Sequence, residues 1–384
     1  MAEEIYDVIS TNVRIFGRTL DIAGARWLGY SGSGIEFQTR ARKVQVDILG
    51  ISETNDLSDF AWIGVFLDGS DVMAKRFQVR RDLRTYEVLY NPEGKPHTVK
   101  LVKLTETRND KVALSCIRAD EPLYPAGARE HSILFIGDSL TAGYGIAEGH
   151  TLSEDPAQYQ FTTAEEDVTK GYAWQSARML DASAQFFCWS GNGVISQYVE
   201  PSSEVPATDN LMPSLLPYTD KITEQVARIY LKAHGWKEKP GVPALTYLGQ
   251  QGDDFRPELV VSNLGTNDAS FTRNVRVREQ HFVQRYLEML REVQRIYPGA
   301  RILITYGMME TSLSDACNET ALLGDYQYLQ LPLMNPLQDG IGGGGHPSTA
   351  THRLTAEILT ARIRDMMGWP RTETAGDAED FFDE

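Results

Sequence analysis

Cysteine is scarce. The only three thiols in 384 residues, Cys116, Cys188 and Cys317, stand too far apart in sequence for a disulfide scaffold or a zinc cluster. They read as small buried hydrophobes. Positive charge is also short, with 37 lysines and arginines against 53 carboxylates and a formal net charge of −16. No basic stripe is evident, so a nucleic-acid partner is not expected. No stretch approaches the length and apolarity of a membrane span, which argues against a membrane partner. At the N-terminus, MAEEIYDVIS lacks the basic region and apolar run of a signal peptide. The expectation is a soluble, cytoplasmic protein, although a leader already removed would leave the same pattern.

What is present centres on ILFIGDSLTAGYG, residues 133–145. The apolar run from Ile133 to Ile136 reads as a short buried strand that breaks at Gly137 into Asp138 and Ser139. Such a turn places Ser139 at a sheet edge, its hydroxyl facing a ligand and its backbone N–H free to donate. Taken alone, Gly-Asp-Ser reads more readily as an N-cap serine with a structural Asp138 before it. Two distant stretches change the weighing. LVVSNLGTND, residues 259–268, is another apolar strand ending in glycine and polar side chains, and DGIGGGGHPS, residues 339–348, delivers His346 through a glycine-rich loop. In an alternating strand and helix pattern such loops meet at the carboxyl ends of parallel strands. Ser139, Asn267 and His346 are therefore expected in one cleft.

With GYAWQSARML, FFCWSGNGV and SLLPYTD, these segments resemble the SGNH or GDSL-type hydrolase superfamily, and within it the two-domain deacetylases of carbohydrate esterase family 2. They run in the family's order from Ile133 to Ser348. The resemblance implies an α/β three-layer sandwich on a parallel central sheet, preceded by a jelly-roll-like β-sandwich. It also implies a serine esterase with no cofactor and no metal, acting on acetylated oligosaccharides. A lipase or thioesterase would need a long apolar slot instead, and a catalytically silent carbohydrate-binding protein only an intact surface.

Serine at its free pKa is a poor nucleophile and needs a base within hydrogen-bond reach. Of the seven histidines only His346 lies in a loop that matches a family motif. His131, His150, His234, His281 and His352 have no such context, and His97 falls in the first domain. His346 would take the Ser139 proton and return it to the leaving alcohol. The oxyanion would meet the backbone N–H groups of Ser139 and Gly191 and the side-chain amide of Asn267. Gly193 is the alternative donor, because WSGNG permits either alignment. Trp189 is the nearby aromatic candidate for the sugar approach. Most members of the superfamily carry an aspartate three residues before the histidine, where this chain has Gly343. Asp339 could reach the imidazole only if the loop folded back. A Ser–His dyad oriented by a backbone carbonyl is favoured, with Asp339 as a loop or substrate contact; Asp339 as third catalytic member is the rival reading.

Residues 1–127 show period two. Val44, Val46 and Ile48 share one face of ARKVQVDIL, AWIGVFLDGS closes in an Asp-Gly turn, and LRTYEVL and HTVKLVKL are further strands. Short strands separated by turns suggest a β-sandwich. Trp27 and Trp62 are its aromatic candidates for sugar binding and read more readily as core. EPLYPAGAREH supplies the crossing to a second domain, residues 128–370, followed by an acidic tail, 371–384. Phe381 and Phe382 in that tail are candidates for docking on a second subunit, which leaves a homo-oligomer open. Within the second domain residues 147–170 are acidic and irregular. Helical spacing groups Ala173 with Ala177 and Leu180, and Phe282 with Tyr286, Met289 and Val293. A terminal helix from Ser348 to Met367 is expected to carry Leu354, Ile358 and Ala361 inward. Residues 200–256 read as loop, amphipathic helix and loop, longer than is typical of the family. They form either an insertion over the active site, a subunit contact, or a charged surface helix beside Trp236.

Overall fold

The computed structural model describes residues 3–52, 56–108, 110–146, 160–250 and 254–370. His150, the first part of the acidic 147–170 stretch and the tail with Phe381 and Phe382 lie outside the described residues. The period-two region folds into two six-stranded antiparallel sheets packed as a sandwich. The first runs β3 (Thr19–Ile22), β4 (Ala25–Leu28), β11 (Lys111–Ala119), β6 (Lys43–Ile51) and β9 (Asp82–Tyr90), with β1 (Glu4–Asp7) along β11. The second runs β12 (Tyr124–Pro125), β5 (Gly34–Thr39), β10 (His97–Lys103), β7 (Trp62–Leu67) and β8 (Lys75–Gln78), with β2 (Arg14–Phe16) along β5. Alternation decides which side chains meet between the sheets. Val44, Val46 and Ile48 are buried there with Phe37, Ile63, Val65, Val99 and Leu101. Between them Asp47 faces the other way, where it accepts from Arg118 at 2.6 Å and Thr85 at 2.6 Å.

The second domain carries a five-stranded parallel sheet in the order β14 (Ala182–Cys188), β13 (His131–Gly137), β15 (Leu259–Asn263), β16 (Arg301–Met308) and β17 (Gln327–Leu333). Its inner strands carry apolar runs, such as Ile133 to Ile136 and Leu259 to Val261, because both faces are covered there. Leu134, Ile136 and Val260 pack with Phe282, Tyr286, Met289 and Val293 of α6 (Arg276–Ile296) and with α7 (Ser314–Gly324). Ile133, Phe135 and Val261 pack on the opposite face with Ala173 and Ala177 of α2 (Tyr172–Met179), with Leu180, and with α9 (Thr349–Met367). Parallel register puts Gly137 level with Cys188 and with Asn263. The loops that follow these three strands therefore open on one edge. No helix among the described residues is long and apolar enough to cross a membrane.

Two expectations fail. On α9 the inward positions are Thr351, His352, Thr355, Ala356, Leu359, Thr360, Ile363 and Met366, whereas Leu354 is 46% exposed and Ala361 is exposed too. The helix approaches α2 closely through small and self-satisfied side chains. Ser176 Oγ donates to Ala356 O at 3.2 Å, Thr355 Oγ1 to Thr351 O at 2.9 Å, and the Tyr172 N–H to His352 Nδ1 at 3.1 Å. Apolarity was the wrong guide where polar groups find partners inside.

The described part of residues 200–256 is not a plain surface helix. After α3 (Met212–Leu215), Asp220 caps α4 (Lys221–Ala233), accepting the Thr223 N–H at 3.0 Å. Ala227, Leu231 and Trp236 then pack on Leu20, Ile22, Trp27 and Ala113, the outer face of the first sheet. Trp27 is fully buried there, its indole N–H on Ile22 O at 3.2 Å. Trp62 is half-buried under the Arg76 guanidinium, 4.3 Å from the ring. The second sheet meets the second domain through Phe66, Val102 and Leu104, and Tyr30 inserts edge-on against Phe187 at 5.4 Å.

Candidate active site

β13 delivers the chain into a turn whose cap is Asp138 rather than Ser139. The Asp138 carboxylate accepts the Leu140 N–H at 3.1 Å at the start of α1 (Ser139–Ala142). That leaves the Ser139 hydroxyl free for another partner. It lies 2.9 Å from His346 Nε2, with Ser139 5% exposed at the sheet edge.

His346 Nδ1 is 3.2 Å from the carbonyl oxygen of Gly344. A carbonyl only accepts, so the proton belongs on Nδ1 and the Nε2 lone pair faces the serine hydroxyl. Gly344 achieves this at φ +62°, a left-handed conformation in which its carbonyl turns back on the ring two residues later. The loop is stitched down on both sides: the Gly342 N–H donates to His346 O at 2.8 Å, and the Gly343 N–H to Gly145 O at 2.7 Å. Asp339 ends α8 (Pro336–Asp339), and its backbone carbonyl accepts Ser348 Oγ at 2.7 Å. Among the described residues no hydrogen bond joins the Asp339 carboxylate to His346. Tyr144, half-buried, sets its ring 4.6 Å from the imidazole and stacks on Phe161 at 3.7 Å. This crowded setting strips water from the imidazolium and pushes His346 down to about 4, against the opposing pull of the Gly344 and Gly343 carbonyls.

Opposite the dyad stands the loop after β14. Gly191 adopts φ +76°, and its N–H, like that of Ser139, has no hydrogen-bond partner among the described residues. Asn267 sits on α5 (Thr266–Thr272) with its amide Nδ2 on Asn192 O at 2.8 Å and on Asp138 Oδ2 at a long 3.3 Å. The short bond fixes the amide; the long one is weak enough to be shared. Gly193 is differently placed, its N–H taken by Asn192 Oδ1 at 3.0 Å. Trp189 donates its backbone N–H to Gly137 O at 3.1 Å, and its half-buried ring packs on the apolar cluster of the α6 face.

Sequence reasoning missed Asp268. Fully buried, it accepts the N–H groups of Val194 at 3.0 Å, Ile195 at 2.7 Å and Ser196 at 3.0 Å, and so braces the far side of the Gly191 loop. Burial raises it to about 6, and burial together with the neighbouring Asp268 charge raises Asp138 to about 7. Tyr144 and Phe161 were missed as well, because no spacing marks a wall residue. Among the described residues no group of histidine, cysteine and carboxylate side chains is arranged to hold a metal ion. A cavity of about 860 Å³ lies away from the serine, between Phe16 and Lys100 of the sandwich and Trp174 of the second domain.

Comparison with known proteins follows the same division. The family model for the carbohydrate esterase 2 N-terminal domain matches residues 15–126, and that for GDSL-like lipase/acylhydrolase matches residues 133–359, more than half of the chain. The cellulase/esterase CelE of Acetivibrio thermocellus is 29% identical over 362 residues, covering 88% of this chain. The chain spans only 38% of that relative's length. An acetylxylan esterase/glucomannan deacetylase of Cellvibrio japonicus is 22% identical over 372 residues, covering 93% of this chain and 90% of the relative. A family two carbohydrate esterase from Clostridium thermocellum, solved in complex with cellohexaose, matches with a TM-score of 0.74 at 27% identity over 93% of this chain and 100% of that one. The acetyl xylan esterase Est2A from the rumen bacterium Butyrivibrio proteoclasticus has the same fold, with a TM-score of 0.78 at 18% identity over 96% and 99% of the two chains.

Proposed function

The chain belongs to the GDSL-like lipase/acylhydrolase family, and from that premise we propose that it removes O-acetyl groups from xylan-derived or related oligosaccharides through an acetyl-enzyme on Ser139. The observation that carries this reading is the 2.9 Å contact between Ser139 Oγ and an imidazole whose other nitrogen is held by a carbonyl. Nε2 takes the hydroxyl proton as Oγ attacks the acetyl carbonyl. The oxyanion forms beside the free N–H groups of Ser139 and Gly191, and Asn267 Nδ2 shares toward it the hydrogen of its long bond to Asp138. The imidazolium gives its proton to the departing sugar oxygen. Water, deprotonated by the same Nε2, then releases acetate and restores the serine. The stacked pair Tyr144 and Phe161 supplies an aromatic edge to the approach that suits a sugar better than a long acyl chain.

Turnover of acetylated xylo-oligosaccharides should exceed that of long-chain acyl esters and thioesters, and Ser139→Ala should abolish it. A preference for the long acyl chains would sink the assignment.

A further inference from the structure

The chain between β10 and β11 belongs to the first domain, yet its residues 104–108 end beside the oxyanion loop of the second. Glu106 is 1% exposed and accepts the backbone N–H of Ser190 on Oε2 at 2.7 Å. Ser190 immediately precedes Gly191. Because a peptide unit is planar, fixing the Ser190 N–H leaves only one pair of backbone torsions between that anchor and the Gly191 N–H. The Trp189 N–H on Gly137 O at 3.1 Å and the Tyr198 N–H on Gly191 O at 2.9 Å restrain the neighbouring units. The Gly191 donor is thus triangulated, and one of its three supports comes from the other domain.

The support cannot easily withdraw. The Val168 N–H donates to Leu104 O at 3.2 Å, the Lys103 ammonium to Thr105 O at 2.6 Å, the Glu106 N–H to the buried Glu166 at 2.8 Å, and the Thr107 hydroxyl to Asp220 at 3.4 Å. Burial raises the Glu106 carboxyl above the usual carboxylate range, against the opposing pull of the Ser190 hydrogen bond and of the Arg108 and Lys103 charges. Arg108 also reaches the same loop: a Cβ added to Gly191 would lie 3.7 Å from its Nη1. Asp268 braces the other end of the loop through Val194, Ile195 and Ser196. The oxyanion loop is therefore held between two buried carboxylates, one from each domain.

We propose that Glu106 is a positioning residue for the reaction, its carboxylate holding the Ser190 peptide so that the Gly191 N–H points at the developing oxyanion, which makes the first domain a structural part of the active site. The inference rests on the serine-esterase reading above. Its effect should fall on the transition state more than on the bound sugar.

The test is steady-state kinetics of the full chain on an acetylated xylo-oligosaccharide, with folded protein quantified by circular dichroism. Glu106→Ala should lower kcat by about 10- to 100-fold, short of or equal to loss of a whole oxyanion donor, with KM changed by less than about threefold. Glu106→Gln keeps an oxygen for the Ser190 N–H and should stay within about threefold of the parent in both constants. A wild-type kcat in folded Glu106→Ala, or a Gln variant as impaired as the Ala variant, overturns the proposal. Should the Ala variant fail to fold, Glu106→Asp withdraws the acceptor by one methylene, and an unchanged kcat there overturns it equally. Ser139→Ala is run alongside: residual turnover in that variant would remove the esterase reading itself, whereas its silence beside a fully active Glu106→Ala would remove only the present inference.

Discussion

His346 is held neutral by its surroundings, and that sets the pH at which the site should work. Only the unprotonated Nε2 can accept the Ser139 proton, so activity is lost as pH falls through the imidazole pKa and is present above it. With that pKa pushed down to about 4, kcat/KM should stay high at pH 5.5 and show its acid limb well below the ordinary histidine value of about 6.5. An acid-limb midpoint at 6.5 or above would mean that the imidazole is better solvated than its contacts with Tyr144 and the glycine loop imply. The same residue separates the dyad from a triad. If the Gly344 carbonyl orients the ring, Asp339→Asn should cost less than about tenfold in kcat, against the roughly 10⁴-fold typical when a triad carboxylate is lost. A loss for Asp339→Asn comparable with that of His346→Ala would reject the dyad. Asn267 stands apart from both, since its amide matters once charge has developed. Asn267→Ala should lower kcat by roughly 10²- to 10³-fold with a much smaller change in an independently measured dissociation constant. An unchanged kcat would remove it from the oxyanion site.

The glycine loop that carries His346 is the element on which the orientation depends. At Gly344, φ is +62° and an added Cβ would stand 3.1 Å from Tyr144 Cε1 and 3.6 Å from His346 Nδ1; at Gly345, φ is +75° and an added Cβ meets open space. Alanine carries a similar backbone penalty at either position, about 1–2 kcal/mol, but only at Gly344 does relief of the strain turn the accepting carbonyl away. Gly344→Ala should therefore lower kcat by about tenfold or more while Gly345→Ala changes it little, at similar melting temperatures. Equal kinetic losses in the two variants would mean that the Nδ1 contact is not what matters. Ser139, Asn267 and His346 were legible in the sequence because each follows an apolar strand or a glycine run that marks a sheet edge. The partner of Nδ1 was open to reasoning only as a consequence of Gly343 standing where an acid is usual. Asp268 was illegible, because its three partners are backbone N–H groups that no side-chain pattern announces. The inward face of α9 was misread for a related reason: Thr355 bonds within the helix and His352 Nδ1 accepts the Tyr172 N–H of α2, so polarity there carries no information about exposure.

Across the whole molecule, the sequence separates two domains more sharply than the structure does. Period two against alternating strands and helices is a contrast visible in any window, whereas the contacts that join the halves come from residues with no periodic signature. Tyr30 crosses into the hydrolase core, Phe66, Val102 and Leu104 join its α9 side, and α4 reaches back to cover the outer face of the first sheet. The sandwich is gripped on both faces, and each domain covers apolar surface of the other. Heat should therefore unfold the chain in one transition, with equal calorimetric and van't Hoff enthalpies and coincident loss of activity. Ala227 offers the sharper test, being fully buried between α4 and the sheet that carries Trp27. Ala227→Asp would place a charge without a partner in that cluster, at a cost on the order of 3 kcal/mol. Because Ala227 belongs to the second domain and the surface it covers to the first, the penalty should lower the melting of the whole chain as one transition. Two resolved peaks in the calorimetric trace, with only one of them displaced by the substitution, would show instead that the halves fold independently and that α4 merely rests on the sandwich.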